Sequence, residues 1–222
     1  MARANTQIYQ LYIELNEVQP AIWRRFQVAG DITLFRLHEY IQVFMGWENY
    51  HMHEFRINSE RYGMPDPEGE AMFGTQVCND KKYKLCDLVA EGDEFVYVYD
   101  FGDDWHHTVK IEKVLEPEAG VKYPMCMAGE RACPPEDCGG PWGYEKMLEI
   151  LKDTGHEEYE HWHEWLGEEF DPEGFDLNKV NGFLGSLPSR LLLWGWVSFF
   201  LNVLDFGTLP ALFLGENFGR PC

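Results

Sequence analysis

The sequence predicts an α+β domain: a mostly antiparallel sheet with one helix after the second strand and a helical cluster at the C-terminal end. Three observations carry this. Apolar and polar residues alternate with period two in several short runs up to residue 115. One clear 3.6-period stripe interrupts them at 33–45. The other helical stripes all follow residue 143, so strands and helices are segregated instead of alternating as βαβ units.

In chain order, Ile8–Leu15 places Tyr9, Leu11, Ile13 and Leu15 on one side and Gln10, Tyr12 and Glu14 on the other, a half-buried strand. A turn at 16–20 leads to a proline-led second strand at 22–28. The helix at 33–45 has Thr33 as its N-cap, a stripe of Leu34, Leu37, Ile41, Phe44 and Met45, and Gly46 as its stop. His38 borders that stripe and reads as a satisfied boundary residue. A strand at 51–57 sets His51, His53, Phe55 and Ile57 on one face, and the H-x-H pair is a candidate source of two imidazole metal ligands. Residues 58–82, rich in Gly, Pro, Asp and Glu, read as a long surface loop.

Strands at 94–101 and 105–115 form a hairpin around a three-residue turn, Gly102, Asp103 and Asp104. That loop length sets Phe101 against Trp105, Tyr99 against His107, Tyr97 against Val109 and Phe95 against Ile111, an aromatic and apolar core face. The opposite face then pairs Asp100 with His106. A carboxylate beside an imidazole fixes its tautomer and raises its basicity, which suits a catalytic base or a metal ligand. The plainer reading is a cross-strand pair that closes the hairpin.

Residues 117–142 read as a rigid Pro/Gly loop carrying Cys126, Cys133 and Cys138 at spacings of seven and five. No C-x-x-C pair is present, so the three thiols are either buried space-fillers or zinc ligands completed from elsewhere. Glu136 and Asp137 in this loop are further candidates to face the hairpin. Helices follow at 144–152, 156–166 and 176–187. The domain is expected to span 1–187, with an atypical apolar tail at 188–222. Within that tail, 191–214 is long enough to anchor the chain in a membrane, although Asp205 would cost roughly 2.5–3.5 kcal/mol at a helix centre. A helix docked on the domain or a partner, or an unrelated appended end, are the alternatives.

Acidic residues outnumber basic ones 38 to 18, and the net charge is −20. Such a field repels nucleic-acid backbones and favours a cation or a basic protein partner. The N-terminus lacks an apolar signal core and the six cysteines lack an export signal, so a cytoplasmic chain with reduced thiols is expected.

Several motifs occur in one order: Pro20-Ala21-Ile22-Trp23-Arg24-Arg25, Leu37-His38, Gly46-Trp47, His51-x-His53-x-Phe55, Tyr99-Asp100-Phe101-Gly102-Asp103 with Trp105 and His107, Cys126, Pro134-Pro135-Glu136-Asp137, Gly139-Gly140, Gly143-Tyr144 and Phe170-Asp171-Pro172 with Phe175. In this order they resemble the plasmid pRiA4b ORF-3-like family across about 7–187. The resemblance implies an α+β domain carried on plasmids and beside transposable elements, and no particular catalytic residues. The apolar tail falls outside its pattern. The leading expectation is therefore an accessory or protein-interaction domain. The alternatives are a metal-dependent hydrolase using His51, His53, Asp100, His106 and Glu136 or Asp137 with zinc or another divalent metal, and a nucleic-acid-binding accessory protein.

Overall fold

The structure, a computed structural model, describes residues 6–66, 76–167 and 170–186. Its frame is an eight-stranded sheet in the order β5-β4-β3-β6-β7-β1-β2-β8. The strands are β1 Ile8–Leu15, β2 Trp23–Ala29, β3 His53–Ile57, β4 Glu60–Gly63, β5 Cys78–Asn79, β6 Glu94–Tyr99, β7 Trp105–Leu115 and β8 Met125–Glu130. All neighbours are antiparallel except β4 and β5. The described helices are α1 Leu34–Met45, α2 Gly140–Leu151, α3 Tyr159–Leu166 and α4 Leu177–Ser186.

The alternation in sequence becomes two unlike faces. Leu11, Ile13, Phe26, Phe55, Phe95, Tyr97, Tyr99, Trp105, Val109 and Ile111 lie on the buried face. The other face carries a polar lattice: Arg25 reaches Glu112 through two bonds of 2.7 and 2.8 Å, and Gln10 joins Glu112 to Gln27. An antiparallel sheet tolerates such one-sided solvation because its backbone groups are already paired.

Helix α1 begins where expected, with Thr33 Oγ1 accepting from Arg36 N–H, and ends at Gly46 in the left-handed region at φ 92°. Its apolar stripe packs on the buried sheet face, with Phe44 stacked on Phe26 at 4.3 Å. Arg24 ties the helix end to the sheet. Its guanidinium donates to Phe44 O, Trp23 O, Glu130 O and Arg131 O at 2.7–2.8 Å, and the remaining donor points at Cys133 Sγ. Every N–H of this buried arginine is thereby used.

Four expectations need correcting. The hairpin loop has five residues, 100–104, and Tyr99 faces Trp105 while Tyr97 faces His107. The expected register is off by two residues, which preserves every face, so burial fixed the parity but not the alignment. Phe101 leaves the core and is 53% exposed. Residues 58–82 are not one loop, because Asn58 and Ser59, both at positive φ, turn β3 back into β4, and β5 lies beside β4. Residues 117–142 are not all loop either: β8 pairs with β2. Two of the late helices, α2 and α3, begin at Gly140 and Tyr159 instead of 144 and 156.

The expected tail, including 191–214, lies outside the described residues. Among the described residues no helix is long and apolar enough to cross a membrane.

Candidate metal centre

The centre forms where three segments meet at one end of the buried sheet face. The first is the chain entering β3, which carries His51. Asp100, in the β6–β7 loop, has φ 55°, a left-handed conformation that aspartate tolerates better than most residues. Its backbone N–H donates to Met52 O at 2.9 Å, and this bond joins the first two segments. The third segment, 134–137, is held by Trp47 Nε1 donating to Pro134 O at 2.9 Å and by Glu48 N–H donating to Glu136 Oε1 at 2.8 Å.

These restraints aim three carboxylates at one ring nitrogen. His51 Nε2 lies 3.2 Å from Asp137 Oδ1, 3.5 Å from Glu136 Oε2 and 3.6 Å from Asp100 Oδ2. The nitrogen is sheltered from solvent and makes no hydrogen bond. A charge-assisted N–H···O bond would close to about 2.7–2.9 Å. Donors around one cation at bond lengths of about 2.0–2.2 Å stand about 3.4 Å apart in a tetrahedron. The distances from His51 Nε2 to Asp137 and Asp100, 3.2 and 3.6 Å, lie near the second spacing. His51, Asp100 and Asp137 each offer one ligand atom, all within 4.8 Å of one another.

Supporting groups hold these carboxylates in place. Asp100 Oδ1 accepts from Gly102 N–H at 2.8 Å, which leaves Oδ2 toward His51. Tyr99 donates its hydroxyl proton to Glu136 Oε1 at 3.0 Å and accepts from the N–H groups of Tyr50 and His51 at 3.1 and 3.4 Å. Burial pushes the Glu136 carboxyl above the ordinary range, opposed by the Glu48 N–H and the Tyr99 hydroxyl. Burial, and then the Glu136 charge, raises the Tyr99 phenol well above its ordinary value, so it stays a donor. Asp103 completes the frame by accepting from Gly139 N–H at 3.0 Å, which fastens the β6–β7 loop to the start of α2.

The remaining sequence candidates lie elsewhere. His106 faces Val98 and pairs with Asp104 at 3.0 Å, so the expected Asp100–His106 pair does not form; the loop is two residues longer than expected and Asp100 turns to His51 instead. His51 and His53 do not act as a pair, because the strand starts only at His53. His53 is buried, bonded through Nε2 to Asp80 at 2.8 Å and stacked on His38 at 3.5 Å. The three cysteines belong to no ligand cluster among the described residues. Burial raises the thiols of Cys133 to about 11 and Cys138 to about 12, and raises Cys126.

Two supporting residues escaped the sequence reading. Tyr99 sits in a strongly apolar run, yet a buried tyrosine hydroxyl needs a partner, and that need was the available signal. Glu48 contributes only its backbone N–H, which no side-chain pattern reveals.

Fold and site together define an α+β domain with a histidine–carboxylate centre at one end of an antiparallel sheet. The family model described as plasmid pRiA4b ORF-3-like protein matches residues 7–179, and the chain belongs to that family. It is 36% identical over 186 residues to the uncharacterized protein y4hQ of Sinorhizobium fredii, covering 82% of this chain and 93% of the relative. It is also similar to the crystal structure of a protein of unknown function, MM3350, from Methanosarcina mazei Go1, with a TM-score of 0.72, 43% identity, and coverage of 80% of this chain and 99% of that one. None of these descriptions names an activity.

Proposed function

We propose that the chain binds one divalent cation through His51, Asp100 and Asp137 and uses it in hydrolysis. The observation that carries this reading is the unbonded His51 Nε2 with Asp137 Oδ1 at 3.2 Å and Asp100 Oδ2 at 3.6 Å, too long for charge-assisted hydrogen bonds, with one ligand atom from each of the three residues lying within 4.8 Å of the others. One imidazole with hard oxygen donors suits zinc or manganese. When bound, such a cation supplies Lewis acidity, polarising a substrate oxygen and acidifying water.

The protein's own groups fill the other roles. Glu136 is not among the three donors that fit one coordination sphere, yet its Oε2 faces His51 and its Oε1 is pinned by Tyr99 and Glu48. That is the placement of a general base. Asp137 is the exposed member and marks the side from which substrate enters.

Two variants of the full chain test this division of labour. Glu136→Gln should keep stoichiometric zinc or manganese by mass spectrometry and lose at least about a hundredfold in metal-dependent turnover of an activated ester. Asp100→Asn should lose both metal and turnover. Wild-type protein that holds neither metal would contradict the proposal, as would Glu136→Gln with undiminished turnover.

A further inference from the structure

Which molecules could approach this centre is constrained by its charge. The two ligand carboxylates neutralise one dication and the Glu136 carboxylate beside them tips the centre negative, in a chain whose own balance is −20. Among the described residues no basic side chain pairs with His51, Asp100, Glu136 or Asp137. A groove of about 670 Å³ leads away from Glu136 and Asp137, and the basic residues among its lining are Arg24 and Lys179. All the Arg24 donors are already used.

The surroundings are apolar instead. Tyr50, Met52 and Phe101, the immediate neighbours of His51 and Asp100, are all large exposed side chains. The groove is walled by Trp165, Leu166, Phe170, Phe175 and Val180, and Trp165 is itself exposed. Exposed apolar surface that runs into a polar centre marks a ligand site, and the charge selects which ligand.

We infer that the substrate is an uncharged carboxylic ester or amide whose apolar acyl or aryl group lies in this groove, an inference that rests on the metal-centre reading above. The reaction is hydrolysis. The oxygen of water bonds to the carbonyl carbon and the carbon–oxygen or carbon–nitrogen bond to the leaving group breaks. One water proton ends on that leaving group, and the products are a carboxylic acid and an alcohol or amine. Phosphate esters are disfavoured by charge, because the centre and the chain as a whole are negative and, of the two basic residues among the described lining, Arg24 is fully engaged and only Lys179 remains.

The test uses the full chain loaded with zinc or manganese, and p-nitrophenyl acetate, butyrate, octanoate and phosphate as substrates. The metal-dependent kcat/KM should rise about two- to fourfold per added methylene, and the phosphate should not be turned over. Trp165→Ala should lower octanoate turnover about tenfold and flatten the chain-length dependence. Binding of N-phenyloctanamide and metal content are measured separately. A metal-loaded chain that shows no chain-length preference, prefers the phosphate or fails to bind N-phenyloctanamide overturns the substrate assignment and leaves the centre standing. A chain that binds N-phenyloctanamide yet holds no metal overturns the centre, and with it the hydrolysis.

Discussion

At the scale of single residues, support matters as much as the ligands. Tyr99 is not a metal donor in this arrangement, but its hydroxyl fixes Glu136 and the backbone of residues 50 and 51 together. Tyr99→Phe should fold normally and weaken metal binding about 10- to 100-fold, the usual cost of removing such a partner, measured by calorimetric titration with manganese. Arg24 makes the opposite kind of contribution. It satisfies four backbone carbonyls from α1, β2 and the β8 exit, and an ammonium with three donors cannot reach them all. Arg24→Lys should cost about 3 kcal/mol or more in chemical denaturation. His51, Asp100, Glu136 and Asp137 were each legible in the sequence as chemically capable residues. Their assembly was not. The partner of Asp100 is 49 residues away at His51, and what turns its carboxylate there is a left-handed backbone conformation, which alternation patterns do not encode.

At the scale of elements, two contacts hold the frame. Gly140 sits at φ 69°, and a Cβ there would lie 2.5 Å from Asp103 O. Gly140→Ala therefore separates the start of α2 from the β6–β7 loop, and should weaken metal binding at least about tenfold without touching a ligand. At the β8 edge of the sheet, Asn181 of α4 donates to Cys126 O at 3.0 Å and accepts from Cys126 N–H at 2.8 Å, pairing with the edge strand as a neighbouring strand would. An open edge invites pairing with another chain. Asn181→Ala should increase self-association in sedimentation velocity and speed amide exchange in β8. The first strand and the first helix were read from the sequence almost to the residue, because each buries one face with an unbroken period. β8 was missed because its Met-Cys-Met-Ala-Gly-Glu run lacks β-branched residues and lies between turn-forming segments. The hairpin was misaligned because a two-residue shift leaves every side chain on its original face.

At the scale of the whole molecule, the core contains histidines that must stay neutral. Burial lowers His107 to about 3, and burial, reinforced by the stacked His53, lowers His38 well below its ordinary value. His38 lies between Asn49 and the Tyr97 hydroxyl, bonds of 2.7 and 2.8 Å that suit the neutral ring. Below pH 6.5 the unfolded chain takes up protons that the folded chain refuses. Stability should therefore fall with pH from about 6.5 toward 3, by about 1.4 kcal/mol per pH unit for each such histidine. Urea denaturation of the metal-free chain at pH 7, 6, 5 and 4 checks this, and His107→Phe should flatten the slope by about one proton. The same molecule concentrates acidic groups at a site rimmed by apolar residues, an arrangement that calls for a cation. The most direct measurement is manganese and zinc binding by native mass spectrometry and calorimetry, comparing the full chain with His51→Ala. One ion per chain in the wild type, lost in the variant, is the expected result. A wild-type chain that holds no ion at millimolar metal would contradict it.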